Sequence, residues 1–193
     1  MLLFGLLLGL AFWPRKRPDW GDGWVFPVPD IEGAGDQGIA RVTNSFVPDK
    51  HNGVDIMYLR VVGDPNAPGS TQAVYFAPRG TPVLAARAGT VWSVSLSPRG
   101  WQVVLDHGAP WATYYQHLAE KPLLAKGDRV AAGQQIGVMG SDPTDPQGLR
   151  HLHFEAWYKG SASAAVDPGK EVATWPHLTW DAGPQADWDT TTP

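Results

Sequence analysis

The sequence predicts a mainly β fold, a small antiparallel sheet or sandwich, and three observations carry that expectation. Short β-branched and apolar runs recur along the chain at residues 83–86, 90–94, 101–105, 113–118, 129–130, 135–139 and 151–158. Turn residues close nearly all of them, among them Gly89, Gly100, Gly108, Gly133 and Gly140, the spacing expected of hairpin-linked strands. The 22 glycines and 18 prolines are spread along the chain without a period, which excludes collagen and opposes long helices. No segment keeps a helical period for long, although residues 111–121 allow a helical turn or two.

The chain has 193 residues, a length that suits one domain with a sizeable core. Residues 1–18 form a hydrophobic segment with a basic flank: thirteen uncharged residues, then Pro14-Arg15-Lys16-Arg17-Pro18. That run is shorter than the roughly 20 residues a membrane-spanning helix needs. Its charges follow the apolar stretch rather than precede it, the reverse of a secretory signal. A membrane anchor, an export signal that begins upstream, a plug into a larger assembly, or an end packed on its own domain are the readings left open. A basic flank in this position would by the positive-inside rule keep the domain cytoplasmic, against the function reached below. Residues 19–45 read as an extended lead-in with one or two edge strands, 46–170 as the main domain, and 171–193 as an irregular tail.

Composition narrows the chemistry. A hydrophobic share of 43% is too high for a disordered chain. Six histidines and no cysteine exclude disulfides, thiolate zinc sites, iron–sulfur clusters and a cysteine nucleophile, so any metal must be held by His and carboxylate. The net charge is −4 even with three of the 15 basic residues grouped at 15–17, so the body is acidic and no nucleic-acid partner is expected.

Four segments carry chemistry-bearing residues. His51-Asn52-Gly53-Val54-Asp55 reads as a tight turn entering a strand, with Gly53 allowing close backbone approach. Taken alone it is an ordinary turn. In His151-Leu152-His153-Phe154-Glu155, strand alternation sets His151, His153 and Glu155 on one face and Leu152 and Phe154 on the other. Two imidazoles on one strand face suit a metal or a proton-transfer pair. In Tyr114-Tyr115-Gln116-His117-Leu118, Tyr114 and Leu118 read as core anchors that present His117. Asp106-His107-Gly108 ends a strand, with His107 a turn residue bonded within its loop; His177 has no evident partner.

In combination these elements resemble the lysostaphin-type (LytM-like) zinc metallopeptidases, which cut peptidoglycan peptides. The resemblance runs from about Phe46 to Tyr158. It follows the order His51-x-Gly-x-Asp55, Gly80-Thr81-Pro82-Val83, Val104-Leu105-Asp106-His107-Gly108, Tyr115-Gln116-His117-Leu118, Val130-x-x-Gly133-Gln134-x-Ile136-Gly137 and Gly148-x-x-His151-Leu152-His153-Phe154-Glu155. It implies the lysostaphin-type fold and zinc as cofactor, with His51, Asp55 and His153 as the metal ligands and His117 and His151 as the catalytic pair. Three protein ligands leave a fourth position for water, the mark of a catalytic zinc. No H-E-x-x-H motif supplies a glutamate base, so the histidine pair takes that role by resemblance. Glu155 is either an acceptor that orients an imidazole or a solvated carboxylate.

The chain departs from the family in one place. Residues 57–76 intervene before the Gly-Thr-Pro-Val turn, with a Gly/Pro-rich loop between two apolar runs, and read as a hairpin insertion. The expected function is a zinc endopeptidase acting on cell-wall peptidoglycan. Its expected place is the cell envelope or outside the cytoplasm, membrane-anchored or in contact with a membrane or assembly through residues 1–17. The alternatives are a non-catalytic wall-binding or amidase-activating module, or a wall-opening component of a phage particle. Oligomeric state and the bond cut are not legible.

Overall fold

The computed structural model describes residues 19–62 and 72–183. The hydrophobic segment at 1–18, the Gly/Pro-rich loop of the insertion and the last ten residues of the tail lie outside them. The fold is mainly β, as expected. Among the described residues the thirteen strands are β1 (Asp30–Ile31), β2 (Ala40–Asn44), β3 (Val54–Val62), β4 (Gln72–Phe76), β5 (Pro82–Leu84), β6 (Gly89–Ser97) and β7 (Gly100–Asp106). They continue as β8 (Trp111–Leu118), β9 (Arg129–Val130), β10 (Gln135–Val138), β11 (Leu152–Tyr158), β12 (Ala165–Val166) and β13 (Thr179–Trp180). Among the described residues one short α-helix, α1, covers Gly169–Val172, and 3-10 turns cover Gly35–Gly38 and Ala162–Ala164. The helical turn allowed at 111–121 does not form: the β-branched and aromatic residues there build β8.

Nine strands form one sheet, with the path β2-β3-β11-β8-β7-β6-β9 and with β4 and β12 paired to β3 and β11. Strands β3 and β4 pair antiparallel from Tyr58↔Phe76 to Val62↔Gln72, the hairpin read into residues 57–76. One face of the sheet is apolar: Val54, Ile56 and Tyr58 of β3, Leu152, Phe154 and Ala156 of β11, and Val103 and Leu105 of β7 are all fully buried. Burying such side chains contributes about 1.5–3 kcal/mol each.

The layer over that face comes largely from the lead-in and the tail. Trp20, Trp24, Phe26 and Val28 join the core, and so do Val172 and Trp175. Trp20 stacks on Trp111 at 4.0 Å and Trp24 on Trp175 at 4.6 Å. Strand β13 pairs in parallel with β1, so the stretch after residue 171, expected to be irregular, is docked as far as Trp180. A two-stranded sheet of β5 and β10 adds Val83 and Ile136 to the same core. The opposite face of the large sheet is polar, and the candidate site lies on it.

Candidate functional site

The register of β11 brings the chemistry together. His153 stands opposite Asp55 of β3 on one side and Gln116 of β8 on the other. Alternation along β11 holds as expected: Leu152 and Phe154 point into the core, while His153 and Glu155 point to the polar face. The turn before β3 is held against β11. A Cβ on Gly53 would fall 2.3 Å from the Phe154 carbonyl oxygen and 2.9 Å from Glu155 Cγ, so only glycine lets the His51 turn sit there.

Three ligand-type atoms converge at this point. His51 Nε2 lies 3.0 Å from Asp55 Oδ1, His153 Nδ1 lies 3.1 Å from the same oxygen, and the two nitrogens are 3.1 Å apart. The remaining atoms of each group are already used. His51 Nδ1 donates to the Ser45 carbonyl at 2.8 Å, Asp55 Oδ2 accepts from Asn44 Nδ2 at 2.9 Å, and His153 Nε2 donates to Glu155 Oε1 at 3.0 Å. Each imidazole is therefore left with an acceptor lone pair facing the carboxylate oxygen, an arrangement that is repulsive unless a cation stands between them. Without a metal, a proton answers that demand. Burial disfavours the charge on His153, but its bonds to Asp55 and Glu155 prevail and raise its pKa to about 9. Burial likewise opposes the Asp55 charge, and the hydrogen bonds and charges of His153, His151, Asn44 and His51 hold its carboxyl well below the usual range. His51, Asp55 and His153 can thus hold a metal ion, and their donor set of two imidazoles and one carboxylate fits zinc.

The second pair of histidines stands beside the three. His117 and His151 have ring centroids 4.5 Å apart, His117 is 5.9 Å from the His153 ring, and His151 Nε2 is 3.8 Å from Asp55 Oδ1. Both donate through Nδ1 to backbone carbonyls, His117 to Arg99 at 2.8 Å and His151 to Leu149 at 2.9 Å, which leaves each Nε2 as the free acceptor. Burial, with His151 adding to it and the Arg99 carbonyl opposing, lowers the His117 pKa to about 4.

His117 reaches this position through a bulge. Between the pairs Trp101↔Leu118 and Val103↔Tyr115, β8 spends one residue more than β7, and His117 adopts a left-handed φ of 65°. Strict alternation would send His117 into the core beside Tyr115; the bulge turns it to the polar face. A non-glycine residue in this conformation is strained by about 1–3 kcal/mol. A second bulge, in β2 between Val42 and Asn44, aims Asn44 at Asp55.

Some sequence expectations need correction. Tyr115, fully buried, is the core anchor of β8 together with Leu118. Tyr114 instead lies on the polar face, donating to Gln102 Oε1 at 2.6 Å and stacking on Trp157 at 5.4 Å, because alternation places it opposite Tyr115. His107 bonds outside its own turn, to the Ala88 carbonyl at 3.0 Å and the Thr113 hydroxyl at 2.7 Å. His177 has a partner, Asp30 Oδ1 at 2.7 Å, and stacks on Phe26.

Two supporting residues were missed. Trp157 Nε1 donates to Glu155 Oε2 at 2.6 Å, so both oxygens of Glu155 are engaged and its other one is held on His153. Alternation from Glu155 could have found it. Asn44 has no local signal, because a bulge places it.

Comparison with known proteins bears on the family. A model of peptidase family M23 matches residues 70–168, just over half of the chain; His51 and Asp55 lie outside the matched stretch. The uncharacterised lipoprotein YgeR of Escherichia coli is 40% identical over 94 residues, 48% of this chain and 35% of that protein. The peptidoglycan DD-endopeptidase ShyA of Vibrio cholerae is 40% identical over 100 residues, 50% of this chain and 22% of that protein. The alignments thus span about a third or less of the relatives' own length. A crystal structure of a zinc-containing peptidase from Vibrio cholerae superposes with a TM-score of 0.52 at 26% identity, over 74% of this chain and 39% of that one. A matched family model, the shared sheet and the lysostaphin-type motifs lead to one conclusion: the chain belongs to peptidase family M23.

Proposed function

We propose that this protein is a zinc-dependent endopeptidase that hydrolyses peptide bonds in bacterial peptidoglycan, with His51, Asp55 and His153 holding the metal and His117 and His151 acting as the catalytic pair. The observation that carries the reading is the meeting of three lone-pair donors with two further imidazoles whose Nε2 atoms are free. The peptidoglycan DD-endopeptidase among its relatives supports the substrate class, and that relative together with the lipoprotein supports a place in the cell envelope.

Bound zinc would polarise the scissile carbonyl and bring the pKa of water toward about 7. The chain's own groups do the rest. One of the His117 and His151 Nε2 atoms accepts the proton of the attacking water, and the pair, once charged, stabilises the oxyanion that develops on the peptide carbonyl. The proton then passes to the leaving amine. The carbonyls of Arg99 and Leu149 fix both tautomers before substrate arrives. Glu155, itself clamped by Trp157, keeps the His153 Nδ1 lone pair turned toward Asp55 and His51.

Incubation with purified cell walls tests this, with turbidity and mass spectrometry of released muropeptides as readouts. The zinc-loaded protein clears walls, a chelator stops it, added zinc restores it, and His153→Ala is inactive while folded by circular dichroism. A zinc-loaded wild type that binds walls and releases no peptide would make the chain a non-catalytic wall-binding module.

A further inference from the structure

Beside the histidines a groove opens that the hydrolytic machinery does not use. Its walls include Arg79, Leu96, Trp101, Met139, Pro143 and Arg150. Its floor is tied to both proposed catalytic histidines through Gly140, whose N–H donates to the His117 carbonyl at 2.6 Å and whose carbonyl accepts from the His151 N–H at 3.0 Å. A Cβ on Gly140 would stand 2.7 Å from the His117 carbonyl oxygen, so the floor passes close beneath that residue.

We propose that this groove holds an anionic stretch of the substrate peptide, and that Arg79 receives a free carboxylate of a residue beside the scissile bond. The inference rests on the peptidase reading and names its substrate class: a stem peptide or direct cross-link with an unamidated acidic group, rather than a glycine-rich bridge.

The chemistry of the walls favours this occupant. Leu96, Trp101 and Pro143 offer apolar surface to side chains, which a run of glycines does not have, and buried Met139 backs them. Two arginines line the same groove in a chain whose net charge is −4. Arg150 is anchored, its Nε donating to the Ala77 carbonyl at 2.9 Å. Arg79 is exposed and, among the described residues, makes no side-chain hydrogen bond or ion pair, so its planar fork is available to a carboxylate. A third cation, Arg99, stands next to His117 through its own carbonyl, and its exposed guanidinium makes only a loose 3.8 Å contact with Asp142. Positive charge is thus gathered beside the catalytic pair, where it would draw an acidic peptide into register.

The test uses two dye-labelled peptides that differ only in whether the residue beside the scissile amide carries a carboxylate or a carboxamide. Binding to the chelated wild-type protein is measured by fluorescence anisotropy, and cleavage by the zinc-loaded protein by chromatography. The acid binds about fivefold tighter than the amide, as expected of a partly exposed charge pair. The same preference shows in KM and leaves kcat within twofold. Arg79→Gln erases the preference, Arg79→Lys keeps part of it, and 0.5 M salt weakens it in the wild type and in Arg79→Lys. Equal binding of the two peptides, or an unchanged preference in Arg79→Gln, overturns the groove assignment even if both peptides are cut. Preferential binding of the acid with no cleavage of either peptide leaves the groove standing and overturns the peptidase reading.

Discussion

The two ends of β8 are built on opposite principles. At Trp111 the strand starts inside an aromatic cluster tied down by neutral backbone partners: Trp111 Nε1 donates to the Asp19 carbonyl at 3.0 Å and Trp24 Nε1 to the Trp20 carbonyl at 2.8 Å. At His117 the same strand ends on a bulge, in a left-handed conformation, next to lone pairs that face one another. One end contributes stability through burial and stacking. The other holds strain and a cluster of donors that only a cation, proton or metal, can reconcile, as functional sites commonly do. The comparison teaches that the core end fixes the strand so that the site end can be kept in an unfavourable arrangement.

The sharpest way to break this contrast is to truncate each end. His153→Ala lowers peptide cleavage by about a thousandfold or more, since a ligand and its metal are lost, yet the metal-free protein melts within a few degrees of wild type. Trp111→Ala does the reverse. It costs about 3–5 kcal/mol of unfolding free energy, measured by denaturant titration, and the fraction that stays folded keeps a normal kcat. Comparable destabilisation by both substitutions would mean that the two ends are one unit.

Acid gives a second test at the core end. Burial lowers the His107 pKa to about 4 from an ordinary value near 6.5, against the help of the Ala88 carbonyl. Above pH 6.5 the histidine is neutral folded or unfolded, and its contribution is constant. Between 6.5 and 4 only the unfolded chain takes up the proton, so stability falls with pH, by at most about 3 kcal/mol. In His107→Gln this limb of the stability–pH curve flattens, which urea midpoints at pH 7 and pH 4.5 will show.

The site end has a smaller, complementary probe. Glu155→Gln leaves His153 with a weaker acceptor and lowers zinc affinity about 10- to 100-fold in competition with a chelating dye. Trp157→Phe should follow in the same direction if Trp157 acts through Glu155, and a change in the second without the first would argue against the clamp. The smallest effect is expected far from both ends. His177→Ala removes one half-buried pair with Asp30 and costs about 1 kcal/mol, read as a small loss in the urea midpoint with activity unchanged.

What the sequence made legible follows from the range of the signals. Alternation at 151–155 and the β-branched runs are local, and the strands and the face of His153 could be read from them. The hairpin at 57–76 was legible for the same reason. Tyr114 was misread as a core residue because alternation alone does not say which of two adjacent tyrosines faces inward. His117 and Asn44 reach their places through bulges, which leave no mark in a single sequence. The partners of His177 and Trp111 lie 147 and 92 residues away, so lead-in and tail could not be seen as the layer that closes the core. The zinc ligand set came from a family resemblance.

The distance along the chain between Asp55 and His153 has a consequence for how the protein is made. These two donors are 98 residues apart, and they meet only when β3 pairs with β11. A metal gripped by His51 and Asp55 alone closes a loop too small to organise a sheet, unlike the short ligand spacings through which zinc drives small domains to fold. Pairing across so long a span carries a loop-closure cost and is slow. Zinc should therefore leave the refolding rate almost unchanged and slow the unfolding rate, acting as a clasp on a finished sheet rather than as the seed of one.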